Sequence, residues 1–155
     1  MCPMSERDGQ LSQAMGLRGS YPPFVELLGV TFEPLDGDNI CIKVAMRDEL
    51  SLNLDGGALH GGVISALMDI IGGTVVAWGI RKEIEGQSLE EQAKRMCKVN
   101  TIDLRIDYLR PGKGKVFTAT GSVLRSGRKV AVTRMELHNE EQLLIAVGMG
   151  TYTAG

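Results

Sequence analysis

The sequence predicts the α+β class, with one long central helix wrapped by a curved antiparallel β-sheet. Three features carry that expectation. The stretch from Gly61 to Trp78 is hydrophobic on nearly every side of a helix, so it has to be covered all round. About five other runs are strand-like, several alternating apolar and polar residues with the period of a half-buried strand. The last three runs follow one another through short turn-like segments, as in a meander, and a sheet curled about the helix is the simplest cover for it.

Residues 1–20 are polar and glycine-containing without periodicity and read as a flexible N-terminal arm, which leaves 21–155 as one domain. Pro22 and Pro23 open a short apolar turn, Phe24 to Leu28, ended by Gly29. From Asn39 to Arg47, apolar Ile40, Ile42, Val44 and Met46 alternate with Cys41, Lys43, Ala45 and Arg47, which predicts a strand. A loop rich in Asn, Asp and Gly spans Leu52 to Ala58. Gly72 and Gly73 lower helix propensity by about 1 kcal/mol each relative to Ala, so their place in the long helix predicts close backbone approach to another element.

Arg81 to Lys98 is charged and has the character of an insertion. Within it Ser88, followed three residues on by Glu91, fits a capping box for a helix from Leu89 to Met96. Ile102, Leu104, Ile106 and Tyr108 then face one way along a strand, with Asp103, Arg105 and Asp107 facing the other, until Pro111 and Gly112 end it. Lys115 to Leu124, Lys129 to His138 and Gln142 to Thr153 are three further β-rich runs. The segments Ser-Gly-Arg at 126–128 and Asn-Glu-Glu at 139–141 join them as turns, with His138 a surface residue beside the second.

Composition narrows the function. At 43% hydrophobic and 23% charged residues the chain is ordinary for a globular protein, and its formal charge of -2 gives no attraction to a phosphate backbone, which argues against nucleic acid as a partner. Cys2, Cys41 and Cys97 are widely spaced, with no CxxC pair and only His60 and His138 beside them, so neither a metal site nor a disulfide framework is expected. The opening residues lack the apolar core of a secretory signal, and a cytoplasmic location is expected. Gly61 to Ile80 holds a single charge, Asp69, but its five glycines and that carboxylate argue for a buried helix rather than a membrane span.

The segment most informative about chemistry is NLDGGALHGGVISALMD, Asn53 to Asp69. His60, Gly61 and Gly62 stand where loop becomes helix, so unpaired N–H groups are expected there at the positive end of the helix dipole, in reach of an oxyanion. Asp69 lies among Leu67, Met68, Ile70 and Ile71, where a charge is expensive unless it has partners or a task. The alternative is a carboxylate that bonds a neighbouring element inside a satisfied core. Eight residues separate Gly61 from Asp69, about 12 Å along a helix at about 1.5 Å per residue, too far for one small carbonyl to touch both. Two such helices, antiparallel across a two-fold axis, bring the N-terminus of one beside the Asp69 of the other, and catalysis then requires a homodimer. Other arrangements fare worse: there is no G-x-S-x-G elbow, no Walker loop and no G-x-G-x-x-G after a strand, and Cys41 and Cys97 are poorly placed to pair with His60.

The run LHGGVISALMD resembles the H-G-G then Asp signature of the hotdog-fold thioesterases of the PaaI-like family. TIDLRIDYLRPGKG and KVAVTRMELHNEEQLLIAVGMGTY resemble its YigI-type branch, which acts on medium- and long-chain acyl-CoA, and the likeness runs from about Pro22 to Tyr152. The resemblance implies a hotdog fold, homodimers that often pair again, active sites between protomers, and hydrolysis of acyl-CoA without a metal or any cofactor beyond the coenzyme A of the substrate. It implies Asp69 as general base or nucleophile and the Gly61 amide as the group that polarises the thioester carbonyl. It also implies that Asn53 and His60 help hold the thioester and that Thr101 orients the water. The stretch from Asn53 to His60 is about one residue longer than in that family.

Coenzyme A carries phosphates, for which Arg125, Arg128 and Lys129 around one turn, or Arg110 and Lys113 around another, are candidates. Met68, Ile71 and Val75 are candidates for lining an acyl tunnel, with a place in the core as the alternative. Two other functions suit the same scaffold: a dehydratase or hydratase of acyl thioesters, which needs a His opposed to a carboxylate, and a non-catalytic acyl-CoA-binding regulator, which needs no Asp69.

Overall fold

The computed structural model describes residues 21–35, 39–52, 57–84 and 86–154. The arm expected over 1–20 lies outside them. In chain order the elements are α1 (Pro23–Leu28), β1 (Thr31–Pro34), β2 (Ile40–Ala45), a 3-10 turn (Asp48–Leu50), α2 (Gly61–Glu83), α3 (Leu89–Met96), β3 (Thr101–Tyr108), β4 (Val116–Ser126), β5 (Val130–Asn139) and β6 (Leu144–Thr153). All pairings are antiparallel, in a six-stranded sheet of order β1-β2-β4-β5-β6-β3.

The helix reading of 61–78 holds and extends, because Arg81 to Glu83 contain no helix breaker and the chain turns off at Ile84, before Gly86 at φ 100°. One side of α2, formed by Ile64, Leu67, Met68, Ile71 and Val75, is buried on the concave face of the sheet against Ile42, Phe117, Ala119, Met135 and Leu137. The sheet comes close enough that a Cβ on Gly121 would stand 3.2 Å from the Val75 methyls, and one on Gly148 3.1 Å from Met68 Cε. Thus α2 is a core helix, although its length and composition would also suit a membrane. A second, smaller cluster, Val76, Ile80, Ile84, Ala131, Tyr152 and Ala154, closes its far end.

Several expectations need correction. Among the described residues there are six strands rather than about five, because Thr31–Pro34 is too short to show a period and pairs with β2 through Phe32, opposite Ile42. His138 lies within β5, opposite Thr118, and is half-buried rather than a surface turn residue. Strand β3 keeps its alternation only in part: a register shift between Thr101 and Asp103 leaves Ile102 as an extra residue, 56% exposed, while Leu104 and Ile106 pack on the core. By contrast, the capping box forms as expected, with the Ser88 hydroxyl 2.7 Å from Glu91 Oε2 and the Glu91 N–H donating back to it.

The side of α2 turned away from the sheet is only half-buried and carries Val63, Ala66, Asp69, Ile70, Gly73 and Ala77. This is the open face on which Asp69 stands. Replacing Leu67, on the opposite and buried face, by Ala should cost about 2–5 kcal/mol of unfolding free energy. Urea denaturation measures it, and a loss below about 1 kcal/mol would mean the helix is not seated on the sheet in this way.

Candidate active site

His60 is the N-cap of α2: its backbone is extended (φ -64°, ψ 139°) and its Nδ1 accepts the Gly62 N–H at 2.9 Å. That geometry requires Nδ1 to be the unprotonated nitrogen. The His60 N–H itself donates to the Leu50 carbonyl at 2.8 Å. Of the three amides expected to point outward, two are therefore engaged, and Gly61 alone keeps an N–H without an acceptor among the described residues. The Tyr108 hydroxyl reaches the Gly61 carbonyl at 3.2 Å, tying the start of the helix to the end of β3. Gly61 and Tyr108 line a cleft of about 380 Å³ together with Leu52, Leu59 and Arg110.

Asp69 opens on a different cleft, of about 310 Å³ and mainly apolar, shared with Val25, Phe32, Ile70, Ala77, Met96 and Thr101. Its Oδ1 accepts the Thr101 hydroxyl at 2.7 Å and the Tyr152 hydroxyl at 3.3 Å. Thr101 and Tyr152 face one another across β3 and β6, so the two donors arrive as a cross-strand pair. The register shift makes this possible. Uninterrupted alternation would turn Thr101 away with Asp103, and the extra residue Ile102 returns it to the side of the helix.

Burial raises the Tyr152 phenol well above its ordinary pKa range; the Asp69 charge and the hydrogen bond to Asp69 push it further the same way. The hydroxyl therefore stays protonated and available as a donor. Sequence reasoning missed Tyr152. The available signal was Gly72-Gly73 on the helix together with Gly150 two residues before the tyrosine, all three of which border its ring.

The remaining expected residues are less tightly gathered. Asn53 lies outside the described residues. Arg125 ends β4, and Arg128 and Lys129 form the exposed turn to β5, at the end of the sheet where the Lys129 carbonyl accepts from Ala154; none of the three lines either cleft. Arg110, from the other basic turn, does line the Gly61 cleft. Met68 and Ile71 are wholly buried against the sheet, so the cleft is formed by the opposite side of the helix from the one expected. Among the described residues no three His, Cys, Asp or Glu side chains gather as a metal site would require.

The family model of the thioesterase superfamily matches residues 56–146. The medium/long-chain acyl-CoA thioesterase YigI of Escherichia coli K12 is 42% identical over 147 residues, covering 92% of this chain and 95% of the relative. Its namesake from Salmonella typhimurium is 41% identical over the same span. A crystal structure from Shewanella oneidensis, of a protein related to the thioesterase superfamily, superposes with a TM-score of 0.82 at 39% identity and 96% coverage of both chains. The chain belongs to the thioesterase superfamily, and its fold is the hotdog fold of that family. Thioester hydrolysis is the reaction of this chain.

The cap predicts how His60 responds to substitution. His60→Asn, which supplies another capping acceptor, should keep both stability and turnover, whereas His60→Ala should lose about 0.5–2 kcal/mol of stability. Thermal unfolding and thiol release measure the two effects. A more than tenfold loss of kcat in a fully stable His60→Asn protein would instead give the imidazole a direct part in holding the thioester.

Proposed function

We propose that this protein hydrolyses medium- to long-chain acyl-CoA to the free acid and coenzyme A, in sites that two copies of the chain build together. The observation that carries this reading is the separation of the Gly61 amide and the Asp69 carboxylate into two clefts of one protomer. They stand about 12 Å apart along one helix. The open face of α2 presents small residues, Gly62, Ala66, Gly73 and Ala77, over which a second helix can pass closely. An antiparallel pairing over a two-fold axis puts each Asp69 beside the other protomer's Gly61, giving two equivalent sites. Exposed Val123, Leu124, Val130 and Met149 on the sheet suit a further pairing of such dimers.

In this site the partner's Gly61 N–H donates to the thioester oxygen, where negative charge develops as the carbonyl carbon becomes tetrahedral. Ionised Asp69 takes a proton from the attacking water, or attacks the carbon itself to form an anhydride that water then opens. In the first route the carbon–sulfur bond then breaks and the proton held by Asp69 passes to the departing thiolate; in the second the thiolate leaves as the anhydride forms, and the water that opens the anhydride supplies the proton. Thr101 holds the carboxylate for this work. The chemistry runs on side chains and water. The apolar cleft beside Asp69 takes the acyl chain, with Met96 from the α3 insertion at its wall.

The turn bearing Arg125, Arg128 and Lys129 is the proposed contact for the phosphates of coenzyme A, with Arg110 beside the Gly61 cleft as the comparator. Free Cys41 and Cys97 suit the reducing cytoplasm. A hydratase is the weaker reading because neither His60 nor His138 lines either cleft.

Thiol release from acyl-CoAs of graded chain length, by wild type and Asp69→Ala, tests the reading. The variant should lose at least about 100-fold in kcat while keeping its assembly and circular dichroism. Undiminished turnover in a folded variant would refute it, and loss of enoyl-CoA absorbance at about 260 nm without thiol release would favour the hydratase. Reversing the charges of Arg128 and Lys129 should raise KM for acyl-CoA about tenfold or more and leave a short thioester without the nucleotide unaffected. Equal effects on both substrates, or an effect confined to Arg110→Glu, would remove the turn from the site.

A further inference from the structure

We propose that Tyr152 is a positioning residue for Asp69: its hydroxyl, with that of Thr101, fixes Oδ1 and thereby makes Oδ2 the reacting oxygen. This rests on Asp69 being the catalytic carboxylate. Both hydrogen bonds end on the same atom, at 3.3 Å from Tyr152 and 2.7 Å from Thr101, and among the described residues nothing donates to Oδ2. A carboxylate with one oxygen held by two donors cannot spin about its terminal bond without breaking both, so the free oxygen keeps one direction. That direction is set from two strands at once, since Thr101 and Tyr152 are register partners on β3 and β6.

The phenol has no freedom of its own. It is 1% exposed, and its ring lies where the backbones of α2 and β6 are stripped of side chains. A Cβ on Gly72 would overlap the hydroxyl and stand 2.7 Å from Cζ, and a Cβ on Gly150 would stand 2.8 Å from the hydroxyl. Gly72 and Gly150 are thus the cradle of this one ring, which accounts for a glycine at 72 in the middle of a buried helix, whereas a Cβ on Gly73 would make only ordinary contact with the ring at 3.6 Å. The hydroxyl also lies 3.3 Å from the Asp69 carbonyl, so its single hydrogen is directed at one residue's main chain and side chain together. In hydrolysis, Oδ2 accepts the water proton while the water oxygen bonds to the carbonyl carbon, and the proton then passes to the departing thiolate. In the anhydride route the same Oδ2 forms the bond to carbon.

Tyr152→Phe keeps the ring in its cradle and removes only the donor. Thiol release from a medium-chain acyl-CoA should fall about tenfold in kcat with KM within about twofold of wild type, because positioning acts on the chemical step rather than on binding.

An unchanged kcat in Tyr152→Phe would overturn the proposal. So would a fall in kcat accompanied only by a lower Tm and a raised KM. If Tyr152→Phe does not fold, the Thr101→Val protein carries the test, because Tyr152 is then the remaining donor: retention of at least about a tenth of wild-type kcat is expected, and loss as complete as in Asp69→Asn would overturn it. Asp69→Asn run in parallel separates the two ideas. Activity in that variant removes the catalytic carboxylate itself, whereas an inactive Asp69→Asn beside a wild-type-like Tyr152→Phe removes only the role of the tyrosine.

Discussion

An α-helix advances about 1.5 Å per residue, and the rest of the molecule answers to that fixed length. Gly61 offers an amide at the mouth of α2 and Asp69 a carboxylate two turns further on, and a rigid core helix cannot fold back to bring them to one carbonyl. The clefts follow suit. The one beside Gly61 is walled by the end of β3 and its turn, the one beside Asp69 by α1, β1 and the α3 insertion. On the proposed reading each cleft is half of a site, and the face between them is the side of α2 that the sheet leaves half-buried.

The same sheet that buries the helix also sets the carboxylate. Strands β3 and β6 supply Thr101 and Tyr152 to Oδ1, and the buried phenol is kept neutral by desolvation and by the charge it faces. Hydrogen bonds to an ionised group are stronger than neutral ones, so this small network holds a charge on a largely apolar helix without a salt bridge. Its cost falls on the helix, which accepts glycine at position 72 to leave room for the ring.

Much of this was legible in the sequence, for physical reasons that differ from place to place. The long helix announced itself because a segment apolar on all sides has few ways to be covered, and strands β2, β4, β5 and β6 because a period of two survives wherever one face is buried. The HGG of residues 60–62 and Asp69 pointed to the two places on the helix where the structure has clefts. Strand β1 was hidden by its length, and the orientation of Thr101 by a register shift that no local pattern reveals. Tyr152 was hidden because its partners, Gly72 and Gly73, are far away in the chain and carry no side chain to mark the contact. The assignment of two free amides besides Gly61 failed because the His60 side chain and the Leu50 carbonyl satisfy them.

Subunit complementation reaches the composite site most directly. Gly61→Pro removes the N–H at the first helical position, where proline is tolerated and where the extended His60 before it already has the required backbone. Mixed with Asp69→Ala after denaturation and refolding, it should restore about a quarter of wild-type turnover, since about half of randomly assorted dimers are mixed and each holds one intact site. A mixture as inactive as its two parents, despite mixed dimers confirmed by mass, would contradict a site shared between subunits.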